Sequence, residues 1–124
     1  MIHVDTGFII HALVPVSRAD RRLRQFLREG EDVAVSSIAW TEFLCGPAGT
    51  NEIEYVRSVF REISPFTDAD CETAGDLFNR GGRRRRSLAD CMIAAVALRD
   101  GASLATTSPK DVQRFGVALT LLVP

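Results

Sequence analysis

The run Cys91-Met92-Ile93-Ala94-Ala95-Val96-Ala97-Leu98 is apolar around the whole circumference of any helix it forms. A surface helix keeps one polar face for water, so a helix apolar all round has to pack between other elements. Ser87 before this segment and Gly101 after it predict a helix from Leu88 to Asp100. Short apolar runs at Met1 to Asp5, Val33 to Val35, Ile63 to Phe66, Ser103 to Thr106 and Val117 to Val123 predict strands around it. Between them, helices are predicted over Phe8 to Leu13, Arg18 to Glu29, Ile38 to Cys45, Asn51 to Glu62, Asp68 to Asn79 and Pro109 to Phe115. Thr6 and one of Ser36 or Ser37 are expected as caps, and Gly30, Gly46-Pro47 and Gly81-Gly82 as stops. Leu23, Phe26 and Leu27 should share one buried face, as should Ile53, Val56 and Phe60. Short apolar strands alternating with helices imply a doubly wound α/β fold, a parallel sheet of four or five short strands flanked by helices.

At 124 residues and 46% apolar, the chain has enough material for one core, and residues 1–124 read as a single domain. No run approaches the roughly 18 apolar residues of a membrane span, and the N-terminus has no basic leader, so a soluble cytoplasmic protein without a membrane partner is expected. Cys45, Cys71 and Cys91 lack zinc-ribbon or redox spacing and read as buried, reduced thiols.

A net charge of -1 argues against a generic nucleic-acid coat, but the balance conceals a bias. Fourteen of the fifteen basic residues are arginine, most of them in Arg18 to Arg28 and in the run Arg83-Arg84-Arg85-Arg86. Arginine grips phosphate through a planar fork, so a segregated arginine surface suits a nucleic-acid substrate; solvated helix faces and loops are the plain alternative.

The acids fall at informative places. Asp5 ends the first strand, where ligands gather in parallel sheets, although a turn former or helix cap is equally compatible with that position. Glu42 stands in an otherwise apolar helix, where it either meets a cation or donors, lies on the one exposed stripe, or pairs with an arginine. Asp90 opens the apolar helix, and Ser87-Leu88-Ala89-Asp90 also fits a capping box. In Thr106-Thr107-Ser108-Pro109-Lys110-Asp111, Ser108 with Asp111 makes a second such box. His3 and His11 sit in apolar surroundings and read as packing residues.

Taken in order, Val4-Asp5-Thr6, Thr41-Glu42-Phe43, Leu88-Ala89-Asp90-Cys91-Met92-Ile93-Ala94-Ala95 and Leu104-Ala105-Thr106-Thr107-Ser108 resemble the PIN-domain family over nearly the whole chain. Within that family the resemblance is to VapC-like toxin ribonucleases of type II toxin and antitoxin pairs. It implies that Asp5, Glu42 and Asp90 are catalytic and hold Mg²⁺ or Mn²⁺, with Thr6 and Thr106 supporting them. Where the family often carries Asp or Asn, this chain has Ser108, so the fourth position falls to Ser108 or Asp111.

The implied reaction is endonucleolytic hydrolysis of RNA, leaving a 5′-phosphate and a 3′-hydroxyl, with Arg83, Arg84, Arg85 and Arg86 on flanking phosphates. A homodimer and a cognate antitoxin are implied as partners. Oxygen-only ligands suit Mg²⁺ or Mn²⁺ better than zinc.

Two rivals remain at this level. A receiver-like phosphoacceptor domain has similar length but expects an acid pair after the first strand, where His3-Val4-Asp5 offers one acid, and a lysine near the last strand, where only Lys110 is at hand. A catalytically weak RNA- or protein-binding module of the same fold is suggested by Ser108.

Overall fold

A computed structural model describes residues 1–116 and 118–124 of the chain. Strands β1 (Ile2–Val4), β2 (Val33–Ser36), β3 (Ile63–Ser64), β4 (Ser103–Ala105) and β5 (Leu121–Leu122) form one parallel sheet in the order β3-β2-β1-β4-β5. Helices α1 (Thr6–Ala12), α2 (Arg18–Arg28), α3 (Ser37–Leu44), α4 (Thr50–Val59), α5 (Asp68–Arg80), α6 (Leu88–Arg99) and α7 (Pro109–Gln113) connect them. The last strand is shorter than its apolar run predicts, and Val117, where that run begins, lies outside the described residues.

Every residue of β1 and β2 is buried, with no alternation between faces, because helices cover the sheet on both sides. Helix α6 packs against α5 and also touches α3, α7, β2 and β4. Its Cys91, Ile93, Ala94, Ala95, Val96 and Ala97 are buried, and the alanines let these neighbours approach closely. The all-round apolar run therefore occupies the interior position expected of it.

Chain direction across the sheet reverses at β1, which pairs with β2 on one side and β4 on the other; Val4 lies beside both Val35 and Ala105. Such a switch point opens a crevice at the carboxyl ends of the two strands. This order also separates the chain from receiver domains, whose sheet runs 2-1-3-4-5.

Several local expectations need correction. Asp5, not Thr6, caps α1: its Oδ1 accepts the Phe8 N–H at 2.8 Å, because the carboxylate at the strand end already reaches the free amides of the first turn. Ser36 caps α3 by accepting from the Ala39 N–H at 3.1 Å. Neither downstream capping box forms. Ser87 ends a 3-10 turn (Arg85–Ser87) that runs straight into α6, and its hydroxyl donates to Arg84 O at 2.7 Å instead. Ser108 makes no side-chain cap bond to α7.

Leu27 is exposed at the end of its helix, and so are Cys45 and Cys71; only Cys91 of the three thiols is buried, and all three are free. Among the described residues no helix is long and apolar enough to cross a membrane.

Candidate active site

Strand β1 delivers Asp5 to the crevice beside the end of β4, and the Asp5 N–H donates to Ala105 O at 3.1 Å. Its carboxylate accepts the Phe8 N–H, and the nearby hydroxyl of the fully buried Thr106 favours its charged form. Thr106 is held in turn, since its Oγ1 accepts the Ser108 N–H at 3.0 Å. Burial raises the Asp5 pKa, and the nearby Glu42 charge adds to this; the Thr106 and Phe8 hydrogen bonds offset only part of it.

Glu42 is exposed on α3, and no arginine pairs with it among the described residues. The Thr6 hydroxyl, on the first residue of α1, donates to its Oε1 at 2.6 Å. Thr6 thus restrains Glu42, and Thr106 lies beside Asp5.

Asp90 sits in the first turn of α6 with no hydrogen bond to its carboxylate among the described residues. With the capping box absent, the helix makes no use of this side chain. Its pKa is pushed up to about 6, first by burial and then by the charges of Asp5, Glu42 and Asp111. Four acids from four separate stretches of chain therefore share one electrostatic neighbourhood.

Asp111 belongs to that group, and it lines a cavity of about 430 Å³ together with Asp90. Ser108 does not line this cavity, and its backbone amide serves Thr106. Among the described residues, no three Asp, Glu, His or Cys side chains are drawn together as a ready-made ligand set. Asp5 and Glu42 are each tied to neighbouring donors.

The second arginine cluster faces this neighbourhood. Arg84, Arg85 and Arg86 line the cavity, whereas Arg83 turns away and donates to Asn79 Oδ1 at 3.0 Å. Arg114 lines it as well, a residue the sequence reading missed because one arginine beyond a short helix carries no pattern. The first cluster is partly consumed by its own helix: Arg24 pairs with Asp20 at 2.9 Å, and the Arg22 guanidinium lies 4.9 Å from the Phe26 ring centre.

The histidines divide. His3 is fully buried in β1, with Nε2 2.8 Å from Asp100 Oδ2, so it packs and bonds at once. His11 is exposed, contrary to a packing role, and its Nδ1–H donates to Gly7 O at 2.7 Å.

A sequence model of the PIN domain matches residues 2–117. No curated protein matches. Among solved structures, VapBC2 from Rickettsia felis bound to a DNA fragment from its promoter is 21% identical, with a TM-score of 0.79 over 100% of this chain and 99% of that one. FitAcB from Neisseria gonorrhoeae is 21% identical, with a TM-score of 0.74 over 97% and 96%. VapBC-1 from nontypeable Haemophilus influenzae is 19% identical, with a TM-score of 0.73 over 99% and 98%. At these identities the likeness is one of fold.

Proposed function

The chain belongs to the PIN domain family, and from that premise we propose that it is a metal-dependent endoribonuclease, the toxin half of a VapBC-like toxin and antitoxin pair. One observation carries this reading: Asp90, unused by its helix, lies under the combined charge of Asp5, Glu42 and Asp111 at the switch point of the sheet. A fold gains nothing from placing the half-buried Asp90 carboxylate near three further acids, whereas a site for a cation does.

The donor set fits a hard divalent ion, since every nearby ligand is a carboxylate oxygen. Asp5, Glu42 and Asp90 would hold Mg²⁺ or Mn²⁺, with Asp111 in the fourth position in preference to Ser108. When bound, the ion supplies positive charge against the scissile phosphate and acidity for the attacking water. The chain's own residues do the rest. The Phe8 N–H fixes the orientation of Asp5, and Thr6 fixes that of Glu42. Arg84, Arg85 and Arg86 offer forks to flanking phosphates of the RNA.

A homodimer and an antitoxin that covers the acidic pocket belong to the same proposal, supported by the fold shared with proteins solved as toxin and antitoxin complexes. The deciding experiment is cleavage of single-stranded and structured RNA with Mg²⁺ or Mn²⁺, comparing wild type with Asp5→Asn and Asp90→Asn. Cutting that both substitutions abolish supports the nuclease. RNA bound but left intact by the wild type would point to a binding module.

A further inference from the structure

The cavity beside the acidic group is larger than phosphate binding requires. At about 430 Å³ it falls within the roughly 300–1,000 Å³ that whole small-molecule sites occupy, well beyond the needs of a lone phosphate. Asp90 and Asp111 line it, so it shares those residues with the acidic group. Arginines 84, 85, 86 and 114 make its basic wall, and Gly81 and Phe115 supply apolar lining.

The fold builds this wall deliberately. Gly82 and Arg83 both adopt left-handed backbone, with φ of 89° and 59°, and the Arg83 N–H donates to Phe78 O at 3.0 Å. This turn ends α5 and brings the next three arginines to the cavity. Gly81 is needed at the same corner, since a Cβ there would come within 2.9 Å of the buried Phe115 ring. That close approach docks the end of α7, and with it Arg114, against the end of α5. No carboxylate of the described residues pairs with any of the four guanidiniums, all of which are exposed. Unpaired arginines converging on a cavity of this volume suit an anionic ligand larger than a bare phosphate.

We propose that this cavity is a subsite for one whole nucleotide of a single-stranded RNA next to the cleaved bond, and that Arg114 anchors its phosphate. The placement next to the cleaved bond rests on the nuclease reading; the nucleotide site itself does not. Arg84, Arg85 and Arg86 sit on the loop that leads into α6, so they and Arg114 approach the nucleotide from two different segments of chain. The substrate strand is then held on the side of Asp90 and Asp111, which sets where along the strand the acidic group acts.

The test uses the full chain and a short fluorescent single-stranded RNA, with EDTA present so that nothing is cut. Binding is followed by anisotropy across a salt series for wild type, Arg114→Ala and Arg114→Lys. Arg114→Ala should weaken binding about tenfold and lower the salt slope by about 0.7, the value of one single-strand phosphate contact. Arg114→Lys should keep the slope and recover only part of the affinity, because it retains the charge but loses the fork.

A nucleoside 5′-monophosphate should compete with the RNA far better than inorganic phosphate does. Unchanged affinity and slope in Arg114→Ala, equal competition by the two small anions, or no saturable RNA binding by the wild type would each overturn the subsite. So would loss of binding to the partner protein with RNA binding intact. A protein that binds RNA through Arg114 yet never cleaves it keeps the nucleotide site and loses the nuclease reading. One that cleaves RNA but is indifferent to Arg114 does the reverse.

Discussion

The Thr6 hydroxyl donates a hydrogen bond to Glu42 Oε1 at 2.6 Å, joining the first turn of α1 to α3 across 36 positions of sequence. Glu42 is exposed, and this bond is the restraint on its carboxylate that the structure provides. Thr6→Val removes the donor at nearly constant volume. The expected outcome is a rise of about 10–100-fold in the Mg²⁺ or Mn²⁺ concentration needed for half-maximal cleavage, with the thermal midpoint nearly unchanged. Thr6→Ser should restore the wild-type requirement. An unaltered metal requirement in Thr6→Val would show that Glu42 needs no positioning.

Asp90 gives a pH prediction whose sign is opposite to that of an ordinary paired carboxylate. Its folded pKa of about 6 lies above the unfolded value near 3.8, so the native state holds the proton more tightly than the unfolded chain does. Its contribution to stability is fully present below about pH 4 and is lost as pH rises through about 6. Asp90→Asn cannot ionise and should be more stable than wild type at pH 7.5 by about 1–3 kcal/mol, after discounting for partial exposure. The gap should close at pH 4. Urea unfolding in EDTA at the two pH values measures it, and an equal difference at both would mean that the charge on Asp90 costs the fold nothing.

How much of this was legible beforehand follows from the range of each interaction. Asp5, Glu42 and Asp90 stood out as candidates through the order of their motifs, which resembles the PIN family, and each motif is local in sequence. The sequence left Ser108 and Asp111 as alternatives for the fourth position, since both lie in one turn and only the packing of α7 brings Asp111 to the cavity shared with Asp90. Arg114 was missed for the same reason: the docking of Gly81 against Phe115 positions it, and that contact spans 34 residues. The cap of α1 was misassigned where two candidates were adjacent. Asp5 and Thr6 both carry cap chemistry, and the exact residue where β1 ends decided between them. The burial of Cys45 and Cys71 was misjudged because apolar neighbours in sequence say little about which side of a helix end faces water.

The His3 ring should hold its proton less readily than an ordinary imidazole. Burial is the largest influence and lowers its pKa, outweighing the hydrogen bond and charge of Asp100 that act the other way. Asp100 is also lowered: burial alone would raise it, but the bonds from His3 and Ser64 and the charges of His3 and Arg99 prevail. A buried ion pair and a depressed histidine pKa pull against each other; full burial and a buried Nδ1 without a partner among the described residues favour the neutral ring. A lowered histidine pKa means that stability is present above about pH 6.5 and is lost as pH falls through the folded value. NMR titration of the His3 ring checks this directly, and a ring that is already protonated at pH 6.5 would refute it.

The turn between α1 and α2 carries backbone strain that a single substitution should release. Val16 has φ of 64°, the left-handed region, where its β-branched side chain crowds the backbone at a cost of about 1–2 kcal/mol. The side chain offers no compensation, being 66% exposed. What holds the conformation is polar: the Val16 N–H donates to Asp20 Oδ2 at 2.9 Å, and the Ser17 hydroxyl donates to His11 O at 2.7 Å. Those bonds use the backbone of position 16 and not its side chain, so any residue at ease with positive φ keeps them. Glycine relieves the strain but loosens the unfolded chain by about 0.4–1 kcal/mol, leaving a small gain. Asparagine tolerates the left-handed region with less loss of that kind. Val16→Asn should therefore raise stability by about 1 kcal/mol, or a few degrees in Tm for a chain of this length, with Val16→Gly between it and wild type. Asp20→Ala should lower stability, since Val16 then keeps its strain without its restraint. A thermal melt of the three variants beside wild type decides it, and a Val16→Asn protein that melts earlier would mean that the valine side chain makes a contribution its exposure does not suggest.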